Sequence, residues 1–186
     1  MRSAASNGGE RFRDQQLWIG DFTADEVLVR CPRCERCAKV VVVPGAPPTE
    51  RILFAPRRLV CGRCGHTQDA RNSVQLAPVP LGNARDPFLQ HPLWLQTDFD
   101  GHVLWAYNER HLDYLEAYVA ARIREQQLPA DGGGLRLMTM LAALPTWLKA
   151  AKNRERILRR IGRMRATLRP SAPDDRSVEG KLRSSP

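Results

Sequence analysis

Five cysteines stand between Cys31 and Cys64, and four of them form two Cys-x-x-Cys pairs, "CPRC" at 31–34 and "CGRC" at 61–64. Five thiols cannot all pair with one another, and short Cys-x-x-Cys spacing suits a metal. Each pair chelates from one tight turn, and two pairs brought together by a hairpin supply the four thiolates of a tetrahedral centre. The expected site is therefore one structural zinc ion held by Cys31, Cys34, Cys61 and Cys64, in a zinc ribbon with a long connection. Cys37 offers a competing pair, Cys34-Glu-Arg-Cys37. Pro32 pre-sets the turn of the first pair, and the run "KVVVV" begins only after Cys37, which leaves Cys37 as a small buried hydrophobe at the start of a strand. Gly65 suits the positive φ that a knuckle requires after its second cysteine. Glu35 stands at the equivalent place in the first knuckle, which is expected to be the less regular of the two. His66 is read as a neighbour of the site.

The opening residues are polar, without the apolar run of a secretory signal, so the chain is expected in the cytoplasm, where thiols stay reduced. The longest apolar stretch, "LRLMTMLAALPTWL", is broken by Arg136, two threonines and Pro145. It falls short of the roughly 20 residues of a membrane span, so no membrane association is expected.

The pattern along the chain predicts an α+β protein. Residues 1–26 are expected to be mostly flexible, 27–80 to form the zinc ribbon, 81–168 a hairpin and helical region, and 169–186, rich in proline and serine, a disordered tail. Within the ribbon, "KVVVV", "RILFAP", "RRLV" and "SVQLA" read as strands of a small antiparallel β unit. "PLWLQT" and "HVLWAYN" flank "DFDG", whose Asp-Gly signals a β-hairpin over about residues 92–107. Asn108 is a plausible N-cap, and Leu112, Leu115, Val119 and Ile123 recur at helical spacing, which predicts a helix over 109–127. After the linker "LPADGGG", two short helical pieces flank Pro145, and Asn153 is placed to cap a last helix with a stripe of Ile157, Leu158, Ile161, Met164 and Leu168.

"CPRC", "CGRCG", "LWLQTDFDGHVLWAYNERHLDYLEAYVAARIRE" and "LPTWLKAAKNRERIL" resemble a family of bacterial TFIIB-type zinc-ribbon-containing proteins. The likeness runs from about residue 28 to 162, with the "LWAYN…HLDYLE" block as its most specific part. It implies a zinc ribbon and its metal, and it implies no reaction. Relatives carry a Cys-Cys-Gly turn where this chain has "DFDG", so a metal or redox role for that turn is not carried over.

The sequence contains no His-Glu-x-x-His or Gly-x-Ser-x-Gly, and "DGGG" lacks the Lys and Ser/Thr of a phosphate loop, so no enzymatic activity is expected. Carboxylates at Asp98, Asp100, Glu109 and Asp113 lie near His102 and His111 in sequence, but the turn and the helix cap account for most of them. Trp94, Trp105, Tyr107, Tyr114 and Tyr118 are read as core before they are read as a stacking platform. Charge is the stronger signal. The formal net charge is +9, and between Pro145 and Arg169 nine basic residues face a single acid, Glu155. Arg156, Arg159, Arg160 and Arg163 on the last helix, with Arg30, Arg33, Arg36 and Arg63 around the knuckles, are the expected contacts to nucleic acid phosphates. The alternative expectation is an adaptor whose ribbon and helices dock on a protein partner.

Overall fold

The computed structural model describes residues 11–45, 55–70, 83–125 and 139–169. It begins with strand β1 (Arg11–Arg13) and the short helix α1 (Ile19–Thr23). Four strands follow: β2 (Glu26–Arg30), β3 (Cys37–Val42), β4 (Arg57–Val60) and β5 (Thr67–Asp69). They form one antiparallel sheet in the order β2-β3-β4-β5. β-Branched residues favour this pleated, half-buried setting, and Val27, Val29, Val40 and Leu59 are fully buried in it. The β2–β3 and β4–β5 connections carry the two cysteine pairs.

The outer edge of β2 is covered. Leu28 donates to the Tyr107 carbonyl (2.7 Å) and accepts from the Trp94 amide (2.9 Å), while the Arg30 amide donates to the Pro92 carbonyl (2.8 Å). Val29 and Leu93 form an antiparallel bridge there. Beyond this segment the predicted hairpin consists of β6 (Leu95–Phe99) and β7 (His102–Ala106), in register from Leu95 opposite Ala106 to Phe99 opposite His102. Asp100 and Gly101 at its tip have φ of 48° and 77°, the two positive values that a type I′ turn demands.

Asn108 caps α2 (Glu109–Ala120) as expected, its Oδ1 accepting from the His111 amide at 2.9 Å. Its Nδ2 also donates to the carbonyls of Phe22 and Glu26, so one buried side chain joins α1, β2 and α2. The helix is shorter than its periodicity predicts. Ala121 is extended (ψ 137°), and Ile123–Glu125 forms a strand, β8, that pairs in parallel with β1. Pairing of the backbone with β1 replaces the last helical turns. The same contact alters the reading of the N-terminal segment, since Phe12 packs edge-on against Tyr114 and Tyr118 and Phe22 stacks on His111. Residues 11–26, expected to be mostly flexible, thus contribute two buried aromatic rings to the core.

After Pro145 come α3 (Thr146–Lys149), one 3-10 turn (Ala151–Asn153) and α4 (Arg154–Ala166). Ile157, Ile161 and Met164 are buried where α4 packs on α2 and β6, with Leu158 and Leu168 at the margin of that core. Asn153 is not the side-chain cap that the sequence suggests: it is itself helical (φ −94°, ψ −8°), and its Nδ2 donates to the Trp147 carbonyl (2.9 Å). One continuous apolar cluster runs from Val27 and Val40 of the sheet to Ile161 of α4. The strand expected at "SVQLA", most of "RILFAP", the glycine linker, and residues 1–10 and 170–186 lie outside the described residues.

Candidate metal centre and nucleic-acid interface

The sulfur atoms of Cys31, Cys34, Cys61 and Cys64 all lie within 4.8 Å of one another. Cys31 Sγ is 3.7 Å from Cys64 Sγ, and Cys34 Sγ is 3.6 Å from Cys61 Sγ. Four sulfurs at about 2.3 Å from a central zinc stand about 3.8 Å apart in a tetrahedron, so this spacing is what a tetrahedral thiolate site needs. Cys34 and Cys61 are shifted in opposite directions. The amide of Arg36 favours ionisation of Cys34, but burial and the adjacent thiols push it up, whereas at Cys61 burial is outweighed by amides and neighbours that pull it down. Four thiolates in so small a volume need a cation to coexist.

The two knuckles repeat one another bond for bond. Cys31 N donates to Arg36 O and Glu35 N to Cys31 O, both at 2.9 Å; Cys61 N donates to His66 O at 2.9 Å and Gly65 N to Cys61 O at 3.0 Å. Glu35 and Gly65 both take the left-handed conformation, with φ of 59° and 70°. The first knuckle is therefore as regular as the second, and a non-glycine residue bears the steric penalty of this conformation. Cys37 stands outside the cluster at the start of β3, opposite Arg30, and burial pushes its thiol up to about 11. His66 also lies outside the four-sulfur group, half-buried beside the second knuckle.

Arg30, Arg33, Arg36 and Arg63 are all exposed around the knuckles, and none makes an ion pair among the described residues. A divalent ion with four thiolates would carry a net charge of −2, which these arginines partly balance. On α4, Arg156, Arg159, Arg160 and Arg163 recur at i, i+3, i+4 and i+7, which puts them on one face, roughly a third of a turn from the buried Ile157, Ile161 and Met164. They are not equivalent. Arg156 makes a two-pronged pair with Asp100 at the hairpin tip, with Nη1 2.7 Å from Oδ2. The side chains of Arg159, Arg160 and Arg163 make no hydrogen bond or ion pair among the described residues. Arg165, on another side of the helix, is bound by Asp113 (2.7 Å), Glu116 and Glu109 of α2.

The carboxylate and histidine candidates do not converge. Glu109 and Asp113, with Glu116, are bound to Arg165, and Asp100 is bound to Arg156. His111 is fully buried among Phe22, Trp105 and Tyr107, which makes it a core residue. Trp105, Tyr107, Tyr114 and Tyr118 are buried as expected, and Trp94 is half-buried. The aromatic residue that sequence reading passed over is Trp147. Its ring stacks on both Phe99 and His102, with centroids 5.2 Å away in each case. Only "PTW" after a proline marked it, and nothing in that stretch indicates a partner in the hairpin.

None of the helices in the described residues is long and apolar enough to cross a membrane. No family model matches the chain, and no curated protein or solved structure shows detectable similarity to it.

Proposed function

We propose that this chain is a non-enzymatic zinc-ribbon protein of the TFIIB type that binds nucleic acid through its phosphates. Zinc is the ion that the donor set favours, because four cysteine thiolates complete its coordination and leave no position for substrate. Cys31, Cys34, Cys61 and Cys64 would hold it, and its part is to fold the ribbon. The observation that carries the binding role is the unpaired cationic face of Arg159, Arg160 and Arg163 on a rigid helix. Unneutralised guanidinium groups on one face suit phosphate contacts, in which counterion release supplies the affinity. The knuckle arginines add a second, weaker patch, since part of their charge answers the thiolate centre.

Binding of a labelled oligonucleotide, followed by anisotropy across a range of salt, tests this reading. Replacing Arg159, Arg160 and Arg163 by glutamine should leave the helical circular dichroism intact and reduce the slope of log K against log salt by about 2–3. Absence of binding at low salt, or a slope unchanged in the triple variant, would overturn it.

A further inference from the structure

The hairpin tip places an aromatic surface at the head of the basic face. Phe99 and His102 are cross-strand partners on either side of the Asp100-Gly101 turn. Trp147 lies nearly parallel to both rings, at 19° to Phe99 and 2° to His102. Phe99 is buried beneath this arrangement, whereas His102 is exposed and Trp147 half-buried, so the last two keep ring surface in solvent. The guanidinium of Arg156 sits 4.9 Å from the Phe99 ring centroid. Asp100 is held below the usual carboxylate range first by its bonds to Arg156, then by the charges of Arg156, Arg160 and His102. Arg160 lies one helical turn beyond Arg156 on α4. The tip opens on solvent, since a Cβ at Gly101 would meet nothing within 4 Å.

An exposed imidazole and a half-buried indole beside a row of unpaired arginines are the two halves of a single-strand site: bases stack on the rings and phosphates follow the cations. A duplex keeps its bases inside and can use only the second half. We infer that the polyanion bound by this chain is a single-stranded nucleic acid, with a base stacked at His102 and Trp147 and the adjoining phosphates on Arg160, Arg163 and Arg159. This rests on the nucleic-acid reading above and narrows it.

The test compares an oligothymidylate of about 15 nucleotides, the matching oligouridylate and a duplex of the same length against the full chain. Single strands should bind about tenfold more tightly than the duplex at equal salt. His102→Ala alters an exposed side chain, and Trp147→Leu keeps an apolar cover on Phe99. Each should weaken single-strand binding about fivefold to tenfold with the duplex affinity unchanged, and quenching of tryptophan fluorescence by the oligothymidylate should diminish in Trp147→Leu. Either polymer binding in this way supports the inference, and the ratio between them tells DNA from RNA. Equal affinity for single strand and duplex, no effect of either variant, or an equal loss on both substrates would overturn it while leaving phosphate binding in place. No binding to any of the three would overturn the broader reading as well.

Discussion

Glu35 and Gly65 hold the same position in the two knuckles: both are left-handed, and each donates its amide to the carbonyl of the first cysteine of its pair. Only one of them is the residue this conformation favours. Glu35→Gly should raise the stability of the metal-loaded protein by about 0.5–1 kcal/mol, and Gly65→Ala should lower it by about 1 kcal/mol. Chemical denaturation of both variants checks the pair, and a loss of stability in Glu35→Gly would show that the glutamate side chain has a role of its own.

The sulfur geometry makes a clean prediction for metal content. Protein purified under reducing conditions should carry one zinc per chain, and Cys31→Ser should lose it or hold it far more weakly. Cys37→Ser should retain it, because Cys37 lies outside the four-sulfur cluster. Elemental analysis separates the cases, and zinc lost with Cys37 but kept without Cys31 would move the first pair to Cys34 and Cys37. Chelation of the wild type should unfold the ribbon.

Asn108 makes three buried or part-buried hydrogen bonds with both ends of its amide. Asn108→Ala removes the cap of α2 and leaves the carbonyls of Phe22 and Glu26 short of a donor. A loss of about 2–4 kcal/mol is expected in urea titration. Asn108→Asp keeps the acceptor for His111 but replaces the donor with a second acceptor, so it should rescue little. Full rescue by aspartate would mean that the cap alone matters.

His111 gives the fold a dependence on pH. Its Nδ1 accepts from the Tyr107 amide, which puts the proton of the neutral ring on Nε2, and burial pushes its pKa down to about 3. The unfolded chain takes up that proton near pH 6.5 and the folded chain only near 3. Stability from this group is therefore complete above about pH 6.5 and falls on acidification by about 1.4 kcal/mol per pH unit. The informative quantity is the stability gap between wild type and His111→Gln, which should narrow at that rate as the pH is lowered. A constant gap would refute the assignment.

Asp100 occupies Arg156 much as a phosphate would. Asp100→Asn removes the competing charge, so it should tighten oligonucleotide binding severalfold and steepen the salt dependence by nearly one unit of slope. A weaker complex would instead show that the pair is needed to hold the hairpin tip against α4.

Much of this architecture is written in local chemistry. The cysteine spacing, the Asp-Gly turn and the Asn108 cap each depend on residues close together in the chain, and each appears where the pattern puts it. The features that sequence reading missed depend on distant partners. α2 stops at Ala120 because residues 123–125 find β1, more than a hundred positions away, and periodicity at Ile123 carries no trace of that strand. Arg156 resembles its neighbours in sequence, and only the fold brings Asp100 to it. Glu35 misled for another reason. Left-handed geometry is costly for glutamate but not forbidden, and the hydrogen bonds of the knuckle impose it.

The covered edge of β2 has a consequence for how the molecule comes apart. β2 is bonded along one edge to β3, and Leu28 bonds its other edge to Trp94 and Tyr107, so the sheet that carries the cysteines has no free boundary there. An excised ribbon would present a bare, valine-rich strand to solution and tend to stick to its own copies. In the whole chain the same bonds tie the melting of the knuckles to that of the hairpin, so that thiol release and loss of tertiary tryptophan signal should occur as a single transition.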